Sequence, residues 1–394
     1  MESVIKLFET GKNKKVIIIS VLLLVLFSGV LLGKILFGGF GKGNNSGFNT
    51  ASMQPVTGAQ NDDRQTPITR AVAKVSPAIV GINVEEVREV QNPFYDDPFF
   101  RQFFGENAPQ KQVISALGSG FIISDDGYIL TNDHVVGNAT KISVTLTDGE
   151  TVSAKIIGSD PVSDVALIKI DKSGLPYIPF GNSDEIIIGE WAIGLGNPFG
   201  LFDVNSKPTV TVGVVSATNM KASAEGNRVY KDMVQTDASI NAGNSGGPLV
   251  NTNGEVIGIN TLIYTGGGYS QGSIGVGFAI SINRVKKILD ELKSNGKIDR
   301  SYNPGFRIQG IDDQIAKYYN LPDKNGVIVT QVMKGGDADK AGLKTEDVII
   351  AVNGDKVKSE QDVVYAVNDS RKGDKLVLTI LRNGSKKEIE LVLN

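Results

Sequence analysis

The segment with the clearest chemical potential is Gly243–Pro248, a serine with glycines on both sides. A serine on a tight glycine turn exposes its Oγ as a nucleophile and leaves nearby backbone N–H groups free to bind an oxyanion. The same letters satisfy the G-x-S-x-G elbow of α/β-hydrolases, which requires a helix after the serine and a histidine later in the chain. Here Pro248 leads into the hairpin pattern LVNTNGEVIGI, and the only histidine is His134. The sequence therefore excludes the elbow.

The order of the residues narrows the choice of a catalytic acid. Because His134 precedes Ser245, the triad orders His–Asp–Ser and Asp–His–Ser both remain open. In the first order Asp148 lies in a turn and Asp160 precedes a proline, whereas Asp164 begins the apolar strand pattern VALIKI. A carboxylate at the mouth of an apolar strand can be held in low dielectric against an imidazole Nδ1–H, so we assign Asp164. The second order, disfavoured because the surroundings are strands rather than a βαβ unit, would use Asp125, Asp126 or Asp133.

Composition excludes several classes of function. The chain has 394 residues, 41% of them hydrophobic and 21% charged, which indicates a folded protein of two or three domains. It has no cysteine, which excludes disulfides, thiolate nucleophiles and zinc–thiolate sites, and its single histidine excludes a histidine-rich metal site. We therefore expect no metal and no cofactor. The net charge of −3 argues against a nucleic-acid partner.

The amino-terminal segment predicts a membrane anchor. Residues 16–37 are almost entirely apolar and would span about 33 Å as a helix, enough to cross a bilayer. The span is longer than the apolar region of a cleaved signal peptide, which is the alternative. Because four lysines precede it, the positive-inside rule places residues 1–15 in the cytoplasm and the rest of the chain outside. Residues 38–65, rich in Gly, Asn and Ser, then form a flexible linker.

The exported part divides into two domains. From residue 66, after a short helix opened by Thr66 and Pro67, period-2 segments separated by turns run to about residue 280, which is typical of antiparallel barrels or sandwiches. A helix at Asn283–Ser294 closes this first domain, residues 66–296. Residues 297–394 mix strands with two helices, one of them at Ser359–Asp369, and form a second domain. The insert Val90–Gln112 holds six aromatic residues and serves either as a loop on its own core or as a partner surface.

Several motifs together resemble the HtrA/Deg family of serine proteases. The resemblance runs from about residue 66 to the carboxyl terminus. It implies an all-β protease domain of two chymotrypsin-like barrels followed by one α+β PDZ domain. The single transmembrane helix predicted from residues 16–37 precedes them. The motifs that carry it are Leu130–Val136, Asp164–Ile170, Gly243–Pro248, Gly118–Ile123 and Gly196–Gly200.

The resemblance also implies roles for single residues. Ser245 would attack the peptide carbonyl, His134 would act as general base and then acid, and Asp164 would orient the imidazole. The backbone N–H groups of Gly243 and Ser245 would form the oxyanion hole. Ser239 stands where trypsin-like proteases carry the aspartate that selects basic P1 residues, so such a preference is not expected. Small or medium aliphatic P1 residues are implied instead, with the candidate pocket walls Ile240 and Leu262.

The second domain resembles a PDZ domain through Gly326–Val329, Ala341–Leu343 and Asp347–Gly354. Such domains add an extended peptide to a sheet edge, and backbone N–H groups of one loop bind the peptide's terminal carboxylate. That loop is predicted at Asn303, Pro304, Gly305 and Phe306. Because proline has no N–H, Pro304 removes one donor that the pattern normally supplies.

The resulting hypothesis is a membrane-anchored, ATP-independent serine endopeptidase that degrades unfolded or damaged exported proteins in a stress response. The resemblance further implies a homotrimer and binding of peptide carboxyl termini at the PDZ domain. Two alternatives stay open: a chaperone or holdase that uses the same cleft, and a PDZ adaptor with little proteolytic turnover.

The assignment of the acid predicts that Asp164→Asn lowers kcat about 10⁴-fold and leaves the fold intact, because the imidazole then adopts the wrong tautomer. Steady-state cleavage of an unfolded protein, with circular dichroism as the check on folding, tests this. Turnover close to that of the unchanged protein would show that Asp164 is not the acid.

Overall fold

The computed structural model describes residues 64–90, 110–197, 200, 202, 206–222, 228–241, 243–263, 273–319 and 321–394. The first element is helix α1 (Pro67–Val75), followed by a 3₁₀ turn at Ser76–Ala78. Thr66 caps the helix, because its Oγ1 accepts the N–H of Thr69 at 3.2 Å. The helix predicted at Thr66 and Pro67 is therefore confirmed.

The first barrel is a closed antiparallel sheet of six strands. They are β1 (Ile79–Val90), β2 (Gln110–Ile122), β3 (Tyr128–Thr131), β4 (Lys141–Thr145), β5 (Thr151–Asp160) and β6 (Val165–Ile170). They close in the order β1-β2-β3-β6-β5-β4. A one-turn helix α2 (Asp133–Val136) follows β3 directly. Closure pairs both edges of every strand, so no sheet edge stays open in this barrel.

The second barrel repeats this arrangement. Its strands are β7 (Trp191–Gly196), β8 (Thr209–Ala222), β9 (Tyr230–Thr236), β10 (Pro248–Val250), β11 (Val256–Ile263) and β12 (Gly277–Ser281). They close in the order β10-β11-β12-β9-β8-β7. The two barrels expected from the motif resemblance are confirmed.

Helix α3 (Ile282–Asn295) follows β12 and packs against the first barrel. Val285, Ile288 and Leu292 form its buried face. The contact is close, since a β-carbon on Gly158 of β5 would lie only 2.3 Å from the carbonyl oxygen of Leu292. The helix ends at Gly296, whose φ of 76° requires a residue that tolerates the left-handed region. The helix exceeds the predicted one by one residue at each end.

The carboxyl-terminal domain is a six-strand antiparallel sheet with three helices. Its elements are β13 (Phe306–Gly310), α4 (Asp313–Tyr318), β14 (Val327–Val332), α5 (Asp337–Lys340), β15 (Val348–Val352), β16 (Asp355–Lys356), α6 (Glu360–Asp369), β17 (Lys375–Arg382) and β18 (Ser385–Val392). The sheet order is β13-β14-β15-β17-β18, with the short β16 paired to β15. Two helices were predicted here, and the one-turn helix α5 is additional, because four residues carry too little periodicity to be read from sequence.

Ion pairs join the carboxyl-terminal domain to the barrels. Asp369, at the end of α6, pairs with Arg284 of α3 and with Lys231 of β9. Arg300 forms a forked pair with the buried carboxylate of Asp160, at 2.5 and 3.0 Å, and also donates to the backbone carbonyl of Asn368. These pairs lie within one compact unit that contains all the described residues from 64 onward.

Two predictions concern residues outside the described ranges. The predicted membrane span, residues 16–37, lies outside them. None of the helices that the structure does describe is long and apolar enough to cross a membrane. The six aromatic residues of the insert also lie outside. The insert was predicted to begin at Val90 and end at Gln112, but its two ends are strand, because Val90 pairs with Gln110 and continues the β1–β2 ladder.

Truncating a buried side chain of strand β6 should strongly lower the stability of the first barrel. Ile168 has no exposed surface, and Ile274 is 52% exposed. We expect Ile168→Ala to lower the free energy of unfolding by about 2–5 kcal/mol, because it leaves a cavity in a closed core. Ile274→Ala, the matched control, should change it by about 0.5 kcal/mol or less. Urea denaturation followed by circular dichroism measures both, and equal losses would contradict this packing.

Candidate active site

The imidazole of His134 is held from one side by a buried carboxylate. Its Nδ1 lies 2.8 Å from Oδ2 and 3.0 Å from Oδ1 of Asp164, and its backbone N–H donates to Oδ1 at 3.0 Å. Asp164 has no exposed surface, whereas 32% of the His134 side chain is exposed. A carboxylate at Nδ1 fixes the tautomer with its proton on that nitrogen, which leaves Nε2 free to accept a proton. The structure therefore joins the two residues as the sequence predicted.

Asp164 is placed by an unusual backbone conformation. It stands just before β6 with a φ of 58°, in the left-handed region. Its backbone carbonyl accepts the side-chain amide of Asn132 at 2.8 Å, which ties it to the turn that carries His134. Sequence reasoning placed Asp164 at the strand start but contained no signal for this conformation, which non-glycine residues seldom adopt.

The carboxylate of Asp164 is surrounded by donors. Besides His134, Oδ2 accepts the hydroxyls of Tyr230 and Thr261, each at 2.8 Å. Burial opposes ionisation, but the hydrogen bonds and charge of His134, together with the hydroxyl of Thr261, outweigh it and hold the pKa of Asp164 below its ordinary value. The acid is thus stabilised in its charged form inside the protein.

Ser245 lies on a turn that admits only glycine at two positions. Gly246 has a φ of 85°, and a β-carbon there would lie 2.2 Å from the carbonyl oxygen of Ser119. A β-carbon on Gly247 would lie 2.1 Å from the carbonyl oxygen of Leu195. The glycines of this motif are therefore required by close backbone approach as well as by turn geometry.

Thr261 links the serine to the histidine–aspartate pair. Its hydroxyl donates to Asp164, and its backbone carbonyl accepts the Oγ–H of Ser245 at 3.4 Å. Among the described residues no hydrogen bond joins Ser245 to His134. Catalytic hydrogen bonds are often long or unformed without substrate and tighten when it binds, so this arrangement is compatible with a nucleophile and its base.

The backbone around Ser245 offers free donors. The N–H groups of Gly243 and Ser245 donate to none of the described residues, and Gly243 has a φ of 92°. Ser119 of β2 fixes the carbonyl side of the same turn: its Oγ donates to the Gly243 carbonyl at 2.5 Å and its N–H donates to the Ser245 carbonyl at 2.9 Å. Sequence reasoning gave Ser119 no role. The available signal was a small polar residue between two glycines in a strand.

The two residues predicted as pocket walls, Ile240 and Leu262, have different surroundings. Ile240 has no exposed surface and lies close to Gly194 and Gly277. The backbone of Leu262 pairs with Phe278 across β11 and β12, and its side chain lies outside the described residues. Ser239 is exposed. Within the described ranges, no cluster of histidine and acidic side chains is arranged to hold a metal ion.

The predicted carboxylate loop lies just before edge strand β13. The side chain of Asn303 accepts the N–H of Gly305 at 3.1 Å, and the Gly305 carbonyl accepts the N–H of Met333 at 2.8 Å. In an antiparallel pair this second bond turns the N–H and C=O of Phe306 away from β14, toward the open edge. Pro304 contributes no donor, so Phe306 is the loop residue whose N–H faces a docking strand.

Comparisons with known proteins agree with this geometry. A trypsin-like peptidase domain matches residues 118–259, and a PDZ domain matches residues 305–393. A probable periplasmic serine endoprotease DegP-like of Marinomonas sp. is 39% identical over 342 residues, which cover 82% of this chain and 70% of the relative. The chain belongs to the HtrA-type serine protease family. The DegP-like relative from Chlamydia trachomatis is 47% identical over 77% of this chain, which spans 60% of that relative's length.

Solved HtrA-type structures show the same fold. The HtrA-type protease AlgW solved with a decapeptide is 36% identical, with a TM-score of 0.62, and the match covers 83% of this chain and 98% of that one. The serine endoprotease from Yersinia pestis is 31% identical, with a TM-score of 0.54 over 84% of this chain and 98% of that one.

A second buried carboxylate lies beside the candidate triad of this HtrA-type chain. Asp133 precedes His134, accepts the Ser159 hydroxyl at 2.6 Å and lies 3.9 Å from the guanidinium of Arg228. Burial raises the pKa of Asp133 despite the Ser159 hydrogen bond, and the nearby charge of Asp164 adds to the rise. The pKa values of the two neighbouring carboxyl groups are therefore shifted in opposite directions.

These opposite shifts predict opposite effects on stability. Asp164, with a lowered pKa, contributes stability above the ordinary carboxyl pKa that is lost as the pH falls through its folded value. Asp133, with a raised pKa, holds its proton more tightly when folded, so its ionisation between acid and neutral pH costs stability. At pH 7 we expect Asp133→Asn to raise the free energy of unfolding by about 1 kcal/mol and Asp164→Asn to lower it by about 2–4 kcal/mol.

Urea midpoints of the three proteins at pH 7 and pH 3 measure this. Both differences should shrink at pH 3. Changes of the same sign for the two variants at pH 7 would contradict the assigned environments.

Proposed function

We propose that this chain is a serine endopeptidase whose catalytic residues are Ser245, His134 and Asp164. The observation that carries the proposal is the imidazole of His134 held at Nδ1 by the fully buried Asp164, with Ser245 linked to the same pair through Thr261. An imidazole fixed in this tautomer is the general base that a serine nucleophile requires.

The reaction proceeds through an acyl-enzyme. His134 Nε2 takes the proton of Ser245 Oγ as that oxygen bonds to the peptide carbonyl carbon, and the carbonyl oxygen becomes an oxyanion. The N–H groups of Gly243 and Ser245 donate to this oxyanion. His134 then gives the proton to the leaving amine as the C–N bond breaks, and water repeats the sequence to release the acyl group. Ser119 donates to the carbonyls of Gly243 and Ser245, which keeps the N–H groups of these two residues available for the oxyanion.

The proposed substrates are unfolded or damaged exported proteins, cleaved without ATP. The DegP-like relatives named above are described as periplasmic, which supports a site outside the cytoplasm. The apolar residues 16–37 and the lysines before them support an anchor in the cell membrane, with the amino terminus in the cytoplasm. The chain spans about 60% of the length of the first relatives, so their full activity is proposed here and not carried over.

The PDZ domain is proposed to bind peptide carboxyl termini at the open edge of β13, between that strand and α6. The outward N–H and C=O groups of Phe306 support strand addition there. Asn303 and Pro304 limit the carboxylate loop, because one N–H is occupied and one is absent. Recognition would then depend more on the strand ladder than on the carboxylate.

The proposed assembly is a homotrimer with each protomer's protease domain in contact with its neighbours. Three large apolar side chains at and just before β7 are exposed: Ile187 by 71%, Ile188 by 61% and the chain's single tryptophan, Trp191, by 50%. Burying such a cluster against other copies would remove it from water, which supports self-association.

A second candidate function is a chaperone or PDZ adaptor with little turnover. The observation in its favour is that the Ser245 Oγ–H is hydrogen-bonded to the Thr261 carbonyl, and that no hydrogen bond joins it to His134 among the described residues. In this alternative the cleft would hold unfolded chains without cutting them.

One experiment separates the two functions. Unfolded casein is incubated with the purified full chain, with Ser245→Ala and with the exposed control Ser385→Ala, without ATP. We expect cleavage by the unchanged protein and by Ser385→Ala, and loss of at least about 10³-fold in Ser245→Ala. Equal cleavage by Ser245→Ala, or none by any of the three, would overturn the protease proposal. Suppressed aggregation without cleavage would establish the holdase.

A further inference from the structure

We propose that Arg228 and Tyr230 are positioning residues for Asp164 and set the pH range in which His134 works as a base. The inference rests on the proposed protease function, and it deepens the description of that site. Neither side chain is part of the Ser–His–Asp arrangement read from the sequence, and both reach Asp164 from the start of β9.

Tyr230 shares a carboxylate oxygen with the imidazole. Its hydroxyl donates to Oδ2 of Asp164 at 2.8 Å, the oxygen that also lies 2.8 Å from His134 Nδ1. The ring is 5% exposed, so its position is set by packing. Burial and the charge of Asp164 raise the pKa of the Tyr230 phenol, which keeps it a donor throughout the neutral range. The Tyr230 hydroxyl therefore fixes the plane of the Asp164 carboxylate and reduces the negative charge that this carboxylate presents to the imidazole.

Arg228 acts through charge alone. Its Nε lies 3.6 Å from Oδ1 of Asp164, and its guanidinium lies 3.9 Å from Oδ2 of Asp133. The Nε atom is buried and has no hydrogen-bond partner among the described residues. One cation thus stands between two buried carboxylates that flank the same histidine. Removing it would leave both without a compensating charge.

The backbone between the two residues is anchored at both of its polar groups. The N–H of Val229 donates to the carbonyl of Val162 at 2.8 Å, and its carbonyl accepts from Arg284 at 3.2 Å. Arg284 and Lys231 in turn pair with Asp369 of the PDZ domain. The segment is held on one side by the first barrel and on the other by α3 and α6, while Arg228 and Tyr230 both contact Asp164. This anchoring is what a positioning segment requires.

The charges around His134 give the direction of the pH effect. Asp133 neighbours it on α2, Asp164 contacts it from the β5–β6 connection, and Arg228 and Tyr230 reach Asp164 from the start of β9. Asp160, at the end of β5, acts on Asp133 and is itself paired with Arg300. Loss of the Arg228 charge makes the local potential more negative and favours protonated imidazole. Loss of the Tyr230 hydroxyl concentrates charge on Oδ2 with the same result. In both variants the acid limb of the pH–rate profile moves to higher pH.

The kinetic test uses Tyr230→Phe and Arg228→Gln, with the exposed controls Tyr177→Phe and Arg70→Gln. We expect kcat on unfolded casein at pH 7 to fall about tenfold with KM unchanged, because neither residue touches substrate. The acid limb should rise by about half a pH unit in both variants and in neither control. Arg228→Lys should show little of this shift, because it keeps the cation. A profile identical to that of the unchanged protein in both variants would overturn the proposal.

A direct measurement keeps this inference independent of the protease proposal. His134 is the only histidine in the chain, so its NMR resonances need no assignment by mutation when the protein carries no histidine tag. The titration midpoint is recorded in the Ser245→Ala background with and without each substitution. A rise in both variants supports positioning even if casein is never cleaved. A midpoint unchanged in Arg228→Gln, with a retained thermal transition, overturns it even if Tyr230→Phe fails to fold.

Discussion

The buried charge of Asp164 is the constraint on which the arrangement depends. A carboxylate with no exposed surface is tolerated only when donors replace the water it has lost, since the effective desolvation penalty is several kcal/mol. Those donors come from both barrels: His134 from the first, and Tyr230 and Thr261 from the second. Neither barrel can satisfy the acid alone, so the packing of one on the other and the ionisation of Asp164 stabilise each other.

The features that the sequence reveals are those carried by short stretches of the chain. His134 and Ser245 were identified from the scarcity of histidine and from a glycine turn, and Asp164 from its place before an apolar strand. Period-2 alternation and turn residues predicted antiparallel barrels or sandwiches, and the motif resemblance reduced these to two barrels. Each of these features is carried by residues close together in the chain.

What the sequence did not show is carried by residues far apart. Ser119 bonds the carbonyl of Gly243 from 124 positions away, and Tyr230 donates to Asp164 from 66 positions away. No local pattern reports such contacts, since a serine or tyrosine in a strand is ordinary. The left-handed backbone at Asp164 escaped for a related reason: it is stabilised by the surrounding hydrogen bonds and not by the residue's own preference. The supporting residues were therefore visible only in the folded molecule.

The hydroxyl of Ser245 is the least constrained part of the candidate site. Its hydrogen bond to the Thr261 carbonyl, at 3.4 Å, lies beyond the usual range for an O–H donor, so little free energy is lost when it breaks. A rotation about the Cα–Cβ bond moves the hydroxyl between staggered positions without moving the backbone, which Ser119 and the close glycine contacts hold in place. The costly parts of the site, the buried acid and the glycine turn, are already formed in the structure. The side-chain torsion of Ser245 is the part of the candidate site that these contacts leave able to change when a substrate binds.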